Sequence, residues 1–302
     1  MNEIRLNSNL TLKNPILTAS GTFGFADEAP QLVDVERLGG VVTKSVTLEP
    51  REGHPPPRIA ETSSGLLNGI GLANPGVEKF CNDKLPFLNQ LDTAVFISIA
   101  GTTGQDYTDV LSKIEACNPN IAGYEINISC PNVERGGMEF GVDAAMTEDL
   151  TTRLRNLTKR FLMVKLSPNV TIIAEIAKAA EGAGADGLSA INTVVGMDVD
   201  PVNGKFKVGI GLCGLSGPAI LPIALANVYK VARAVKIPIM GMGGIMHVED
   251  VIRFIRVGAT AVQIGTLNYR DPAIGVSLAQ ELELYMARNG IESLESIRGT
   301  AG

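Results

Sequence analysis

Short apolar runs alternate with longer segments of helical periodicity along most of this chain. Eight of the runs predict buried strands, at residues 16–19, 40–44, 94–100, 123–128, 161–166, 187–191, 237–242 and 261–265. Between them, apolar residues recur at helical spacing at residues 106–116, 148–160, 172–183, 218–235, 248–257 and 272–287. Strands and helices that alternate in this way favour right-handed crossovers and a parallel sheet.

Eight such strands in 302 residues predict an α/β fold, the (β/α)8 or TIM barrel, as a single domain over residues 1–302. The alternative is an open doubly wound sheet, but no G-x-G-x-x-G turn follows the first strand. Residues 4–12 alternate between apolar and polar and predict an N-terminal β-hairpin that plugs one end of the barrel. The connections 47–76 and 193–217 are too long for plain loops, so we expect long strand-exit insertions that build a pocket.

The composition excludes several classes of partner. The chain is 45% hydrophobic and 19% charged, and its net charge of −6 disfavours binding to nucleic acids or to anionic membranes. No apolar run is long enough to span a bilayer, and the first residues lack the apolar core of a signal peptide. We therefore expect a cytoplasmic protein whose partners are small molecules and other proteins.

The metal-binding residue types are few and scattered. The four cysteines include no C-x-x-C pair, and there are only two histidines. This spacing predicts no disulfide framework, no zinc site and no iron–sulfur cluster in this chain. A metal cluster, if the function needs one, must come from another protein.

Polar residues follow most of the predicted strands, and in a parallel barrel these exits meet at one face. Lys44 and Lys165 end apolar strands, which suggests a bound anion because a lysine seldom points inward without an anionic partner. The alternative is that each lysine pairs with a nearby carboxylate. The remaining exits carry Ser20, Gly21, Ser45, Ser98, Asn127, Asn192, Thr193, Gly243, Gly244, Gly265 and Thr266.

Two further groups of exit residues suggest ligand chemistry. Glycines at the last two exits let backbone N–H groups approach a phosphate, although barrels also use glycines for tight turns. The segment 67–76 alternates glycines with carboxamides, which can form an anion-binding nest or a plain turn. Four carboxamides suit a neutral heterocycle with alternating N–H and C=O groups, namely Asn68, Asn127, Asn132 and Asn192.

Cys130 is the candidate reactive group. The strand at 123–128 ends in Ser129-Cys130-Pro131-Asn132, and no other cysteine stands at such an exit. A thiol beside carboxamides often indicates covalent chemistry, but no histidine stands at a strand exit to activate a nucleophile. The missing histidine argues against a nucleophile and leaves the role of Cys130 open at this point. The other thiols, Cys81, Cys117 and Cys213, are interpreted as packing or surface residues.

An ordered set of motifs covers essentially the whole chain. The motifs are ASGTFGF (19–25), NGIGLANPG (68–76), EINISCPNVERGG (125–137), VKLSPNVT (164–171), INTVVGM (191–197), GLSGPAI (214–220), GMGGI (241–245) and IGT (264–266). Together they resemble the flavin-dependent dihydroorotate dehydrogenases, specifically the NAD-linked class 1 enzymes. The stretch EINISCPN is specific by itself.

The resemblance implies FMN at the barrel mouth and dihydroorotate or orotate above the flavin ring. Cys130 would take a proton while hydride leaves for the flavin, and Lys165 would stabilise the electron-rich reduced ring. The implied cofactor contacts are Ser20, Gly21, Lys44, Ser45, Ser98, Asn127, Lys165, Ile191, Gly217, Gly243, Gly244, Gly265 and Thr266. The implied substrate contacts are Lys44, Asn68, Gly69, Ile70, Gly71, Leu72, Asn127, Asn132, Asn192 and Thr193.

Two places depart from the family pattern. Ser98 stands where the third strand of relatives commonly offers an asparagine to the flavin, which shortens the reach but keeps a hydroxyl donor. The segment 205–214 (KFKVGIGLCG) replaces a stretch of the Lys-Thr-Gly-Gly type. We expect local changes in flavin and lid contacts there and an unchanged reaction.

The resemblance also implies an electron-transfer partner. In the NAD-linked subclass a separate subunit carries FAD and a [2Fe-2S] cluster and passes electrons to NAD+, within a heterotetramer built on a homodimer of catalytic subunits. Four alternatives stay open: a fumarate-linked homodimer, a dihydropyrimidine dehydrogenase-like flavin barrel, a non-catalytic flavoprotein and a tRNA-modifying flavin barrel. The acidic balance and the missing basic appendage disfavour the last of these.

Overall fold

Eight parallel strands close into a barrel in the computed structural model, which describes residues 3–28, 32–129, 131–132 and 138–302. The strands, numbered below from first to eighth, are Ile16–Thr18, Gly40–Val42, Ala94–Ile99, Gly123–Asn127, Phe161–Leu166, Gly187–Ala190, Ile239–Met242 and Ala261–Ile264. The eighth strand pairs with the first, which closes the ring. The TIM barrel predicted from the hydrophobic pattern is therefore confirmed.

The strands differ from their predicted bounds at the ends. The second strand stops at Val42, so Lys44 and Ser45 lie in the connection that leaves the barrel. The seventh strand begins at Ile239 and not at residue 237, because Pro238 has no N–H to donate to the ladder.

Helices surround the barrel at all six predicted positions. Their bounds are Gly104–Ala116, Ala144–Leu157, Ile173–Gly182, Leu221–Ala232, Val248–Arg256 and Ile274–Arg288. The second of these begins four residues before its predicted start at residue 148, because the Asp143 carboxylate caps the N–H of Met146 at 2.8 Å. The predicted helix at 218–235 opens with a 3₁₀ turn, Pro218–Ile220, before its α-helical part.

Short helical segments occupy positions that the periodicity did not predict. Between the second and third strands, the helical stretch Val77–Lys79 continues as a π-turn over Phe80–Lys84 and ends in Leu85–Leu88. Among the described residues that follow the first strand, a 3₁₀ turn, Val35–Arg37, stands in place of a helix. Further short segments are Phe140–Val142, Thr266–Tyr269 and Leu294–Ile297. No helix in the described part of the chain is both long and apolar enough to cross a membrane.

The N-terminal hairpin closes one end of the barrel. Ile4–Arg5 pairs antiparallel with Thr11–Leu12, as predicted. Leu6 and Leu12 pack into a buried cluster inside the barrel, here called the closed-end cluster, whose other members are Leu17, Val42, Phe96, Phe161, Met163, Met240 and Ala261. This cluster packs against the hairpin, so we expect a ligand site at the opposite end, where the strands exit.

The two long insertions meet at the carboxyl end of the strands. They form one four-stranded antiparallel sheet, here called the cover sheet, in the order Val194–Gly196, Cys213–Ser216, Gly65–Asn68 and Ile59–Thr62. Register pairs Leu215 with Leu67 and Gly214 with Asn68, which joins the first insertion to the second. A short antiparallel pair, Pro131–Asn132 with Met138–Glu139, follows the fourth strand.

Candidate active site

A cavity of about 690 Å³ lies at the carboxyl ends of the barrel strands, beside the cover sheet. Residues that follow seven of the eight strands line it, and the insertions complete its wall. The volume is that of a typical site for a cofactor or small molecule. The cavity contains almost all the predicted site residues that the structure describes, namely Ser20, Gly21, Lys44, Ser45, Asn68, Gly69, Ile70, Gly71, Leu72, Asn127, Lys165, Ile191, Asn192, Thr193, Gly217, Gly243, Gly244, Gly265 and Thr266.

Three predicted positions are not among these lining residues. Cys130 lies outside the described residues, and for Asn132 only the backbone is described. Ser98 is fully buried and lies behind the cavity wall. Its hydroxyl is 2.8 Å from that of Ser45, which in turn is 3.4 Å from that of Ser20. Ser98 thus supports the wall through Ser45, because its short side chain does not reach the cavity.

The two predicted lysines have different surroundings. Lys165 is only 6% exposed, and its Nζ lies 3.6 Å from Oε1 of Glu125. Lys44 is partly buried and has no acidic partner among the described residues. The alternative interpretation, a nearby carboxylate, therefore applies to Lys165, while Lys44 offers a cation to a ligand.

Glu125 belongs to a small layer of polar side chains inside the barrel. Its carboxylate is fully buried, and Oε2 accepts hydrogen bonds from Ser189 Oγ at 2.8 Å and from Gln263 Nε2 at 3.0 Å. Sequence reasoning missed both Gln263, which lines the cavity, and Glu125, which lies behind its wall. The available signal was the alternation of the fourth strand, which puts Glu125 on the same face as Asn127.

The glycine exits of the seventh and eighth strands form a cradle of N–H donors. Within the described part of the chain, the backbone N–H groups of Gly243, Gly244 and Thr266 donate to no acceptor. Gly244 has φ +80°, and a Cβ there would meet the N and Cα atoms of Leu221 at 2.8 and 2.9 Å. Only glycine fits this turn, and the free donors suit an anion such as a phosphate.

The three described carboxamides are each held by an internal hydrogen bond. Asn68 donates to Gly214 O at 3.2 Å, which ties it to the cover sheet. Asn127 accepts from the N–H of Ser129 at 3.3 Å, and Asn192 donates to Ser129 Oγ at 2.9 Å. Ser129 is therefore anchored from two strands, directly before Cys130 in the chain.

Several lining residues were not predicted. They include Arg51, His54, Glu139, Asn169 and Tyr269. Burial raises the pKa of the Glu139 carboxyl. Asn169 is held against the segment at Val194–Gly196, because it donates to Thr193 O at 3.1 Å and accepts from Val195 N–H at 2.9 Å. Asn169 lies in the VKLSPNVT motif. That motif could have identified it as a lining residue, whereas an asparagine by itself could not.

The cysteines that the structure describes lie away from this chemistry, except Cys213, which is buried in the cover sheet at the cavity edge. Burial, helped by the neighbouring Cys117, raises the pKa of Cys81 to about 12. Burial also raises the pKa of Cys213. Thiols of this kind are poor nucleophiles, which agrees with a packing role. No group of three or more metal-binding side chains comes together in the described ranges.

Comparison with known proteins gives full-length matches. Residues 6–286 match the family model described as dihydroorotate dehydrogenase. A catalytic subunit named dihydroorotate dehydrogenase B (NAD(+)) from Exiguobacterium sibiricum is 49% identical, over 97% of this chain and 94% of that protein. Proteins of the same name from Trichlorobacter lovleyi and Alkaliphilus metalliredigens are 47% and 46% identical, over 96% and 99% of this chain and 95% and 100% of theirs.

A solved structure supports the fold. The crystal structure of a DHODH from Eimeria tenella in complex with ferulenol superposes with a TM-score of 0.79 at 20% sequence identity. The match covers 99% of this chain and 88% of that chain. At this identity the likeness supports the fold alone.

Proposed function

The chain belongs to the dihydroorotate dehydrogenase family, and we propose that it is the FMN-dependent catalytic subunit of an NAD-linked member. It is an oxidoreductase that oxidises dihydroorotate to orotate in pyrimidine synthesis. One observation carries the finer proposal: a single cavity joins a cradle of free N–H donors, two lysines and three carboxamides. These are the groups that a phosphorylated flavin and a carboxylated pyrimidine ring require.

The cradle at Gly243, Gly244 and Thr266 fits the phosphate of FMN. Its N–H groups have no acceptor within the described ranges, and such groups bind phosphate oxygens readily. Ser216 Oγ lies 2.8 Å from Thr266 Oγ1 and adds a hydroxyl beside the cradle. Gly217, Ser20 and Ser45 would hold the rest of the cofactor along the wall. When bound, FMN supplies the hydride acceptor.

Lys44 is our candidate for the substrate carboxylate. Its ammonium has no acidic partner among the described residues, and a free cation in a cavity wall attracts a carboxylate. The glycine-rich segment 69–72 would add backbone donors. Asn68, Asn127 and Asn192 would read the N–H and C=O groups of the ring, because carboxamides both donate and accept.

Cys130 is the proposed general base. Dihydroorotate loses a proton from its ring methylene and a hydride from the neighbouring carbon, which bears the carboxylate, and a double bond forms between them. The Cys130 thiolate would accept the proton. Asn127 and Asn192 hold Ser129 in place directly before it, which fixes the start of the loop. Asn132 would complete the ring contacts from the other side of Cys130.

Lys165 would place positive charge against the electron-rich ring of the reduced cofactor. It is buried at the cavity floor, where water screens its charge weakly. This role needs no proton transfer by Lys165.

The electrons must then leave this chain. The sequence contains no dinucleotide fingerprint and no cysteine cluster, so we propose a partner subunit with FAD and [2Fe-2S] that reduces NAD+. The assembly would be a cytoplasmic heterotetramer around a homodimer of this single-domain chain. A fumarate-linked homodimer is the second candidate, and efficient fumarate reduction by the chain alone would favour it.

The visible spectrum of the purified protein tests cofactor and substrate together. We expect a flavin spectrum that bleaches when dihydroorotate is added without oxygen, and release of FMN on denaturation. Uracil and dihydrouracil in the same assay distinguish a dihydropyrimidine dehydrogenase-like barrel. A colourless protein that acquires no flavin on reconstitution would refute the proposal.

Cys130→Ala tests the base. A positioned general base contributes roughly 10² to 10⁴ in rate, so turnover should fall by about that factor while FMN and orotate still bind. Cys117→Ala is the control, since Cys117 is exposed at a helix end. Full activity in Cys130→Ala would exclude Cys130 as the base.

A further inference from the structure

We propose that Glu125 is a positioning residue for this reaction, which holds the Lys165 ammonium from inside the barrel and sets how much positive charge reaches the cavity. The inference rests on the proposed function, because it needs a cofactor above Lys165. It concerns a residue with no contact to the cavity of its own.

Strand register places Glu125 below Lys165. On the fourth and fifth strands Glu125 pairs with Met163, and Asn127 pairs with Lys165. Inward side chains on each strand are spaced two residues apart. Glu125 therefore stands one layer beneath the cavity wall that Asn127 and Lys165 form, and one layer above Phe161 in the closed-end cluster.

The two oxygens of Glu125 have different partners. Oε2 accepts from Ser189 at 2.8 Å and from Gln263 at 3.0 Å, and so is held by two neutral donors. Oε1 has no hydrogen bond and lies 3.6 Å from Nζ of Lys165. At that distance the carboxylate and the ammonium form an ion pair but no hydrogen bond. The N–H groups of Lys165 therefore stay available to a ligand in the cavity.

The energetic consequence follows from burial. Glu125 is 0% exposed, and Lys165 is its only ion-pair partner in the described part of the chain. A buried carboxylate without a cation is strongly destabilising, so the pair is interdependent. In this water-poor interior, the charge of Glu125 also reduces the field that Lys165 exerts on the cavity.

Lys44, in the same cavity wall, provides a comparison with Lys165. It has no described acidic partner, whereas Lys165 faces a carboxylate from below. Lys44 can thus bind a full negative charge. Lys165 supplies a weaker field, which limits how strongly the protein favours the electron-rich form of a bound ring. Removal of the Glu125 charge should shift the cofactor toward its reduced form.

Glu125→Gln is the test, and Glu115→Gln is a matched control. Glu115 lies outside the barrel against the same strand, and its Oε1 accepts from Tyr124 Oη and Thr158 Oγ1, each at 2.8 Å. The same oxygen lies 3.2 Å from Nε of Arg160. Both carboxylates therefore have two neutral donors and one cation, and both substitutions remove one negative charge.

The readout is the flavin reduction potential of the FMN-loaded protein, measured by equilibration with a redox dye. For Glu125→Gln we expect the ratio of reduced to oxidised flavin at a fixed solution potential to rise about tenfold, which is about 30 mV for two electrons. Glu115→Gln should stay within about twofold. An unshifted potential in Glu125→Gln, or an equal shift in both variants, would overturn the inference.

Ser189→Ala keeps the test informative if Glu125→Gln does not fold. It removes one donor to Oε2 and leaves the charge in place, so the carboxylate acts more strongly on Lys165. The potential should then move in the opposite direction, toward more negative values. A shift of the same sign as that expected for Glu125→Gln would contradict us. Bleaching by dihydroorotate in the wild type with unshifted variants would overturn this inference alone, whereas failure to bind FMN would overturn both proposals.

Discussion

The two ends of the barrel are made from the same strands but have different chemistry. The fifth strand carries Phe161 and Met163 into the closed-end cluster and, two residues later, Lys165 into the cavity. The third strand likewise carries Phe96 into that cluster and Ser98 into the layer behind the wall. One six-residue strand thus contributes both core packing and a charge at the cavity.

This difference separates stability from function along the barrel axis. At the closed end, side chains fit against each other without polar partners, so a lost group leaves a void. At the open end, side chains and N–H groups face the cavity. We therefore expect that a lost group removes a contact that exists only with a bound ligand. Between them lies the layer of Glu125, Ser189 and Gln263, where Oε2 of Glu125 accepts hydrogen bonds from the other two side chains.

Phe96→Ala should have the largest effect on folding of the changes considered for the two ends. Phe96 is fully buried, and its ring meets that of Phe161 edge to face with centroids 5.9 Å apart. Truncation of a buried phenylalanine lowers the free energy of unfolding by about 3–5 kcal/mol. Urea titration measures this, and the fraction that stays folded should still bind FMN one to one.

A helix-surface leucine provides the control for Phe96. Leu284 is 56% exposed on Ile274–Arg288, so Leu284→Ala should change the unfolding free energy by less than about 0.5 kcal/mol. If Phe96→Ala instead left stability unchanged and abolished FMN binding, the division between the two ends would be wrong.

Gly244→Ala should have an intermediate effect, at the open end. With φ +80° and Leu221 backbone atoms under 3 Å from a new Cβ, the turn must shift. The left-handed conformation alone costs alanine about 1–2 kcal/mol. We expect FMN affinity to fall at least tenfold, by fluorescence titration of the apoprotein.

Gly182→Ala is the matched glycine change. Gly182 ends the helix Ile173–Gly182, and a Cβ there meets no atom within 4 Å. Alanine favours a helix over glycine by roughly 0.5–1 kcal/mol, so stability should rise slightly and FMN affinity should not change. Equal losses of FMN affinity in both variants would show that the cradle at Gly244 is not specific.

The local pattern of hydrophobic and polar residues was sufficient to predict the strands, six helices and most residues of the cavity wall. Apolar runs that end in polar residues place those residues at strand exits, and in a barrel all exits converge. This is why Lys44, Asn127 and Gly244 line one cavity although they are far apart in sequence. The helical stretch at 77–88 was missed because a π-turn interrupts its period and Pro86 breaks its pattern.

Pairing between segments that are distant in sequence could not be predicted from the local pattern. Asn68 and Gly214 meet in the cover sheet through register that neither insertion encodes by itself. Glu125 was missed for a related reason: its partners Ser189 and Gln263 come from the sixth and eighth strands. A buried glutamate in an apolar run signals a partner, but only the closed barrel identifies which one.

Asp106→Asn should have the smallest effect and concerns a helix start at the open end, behind the wall. Asp106 Oδ2 accepts from the N–H and hydroxyl of Thr102, each at 2.8 Å, and from the N–H of Thr103 at 3.1 Å. Burial raises the pKa of this carboxyl, but these hydrogen bonds outweigh burial and lower it overall. Loss of such a cap costs about 1 kcal/mol.

The lowered pKa of Asp106 determines how the stability difference between wild type and Asp106→Asn changes with pH. Because the folded-state pKa is below the ordinary value of about 3.9, Asp106 stabilises the fold fully above that value and loses the contribution as pH falls through the lowered pKa. The wild type should therefore be more stable than Asp106→Asn at pH 7, and the difference should shrink below about pH 4. Urea titrations at several pH values measure it.

Asp109→Asn on the same helix is the control, since Asp109 pairs with Gln105 and caps no N–H. A pH-independent difference for Asp106→Asn would mean that ionisation of the Asp106 carboxyl does not contribute to the cap.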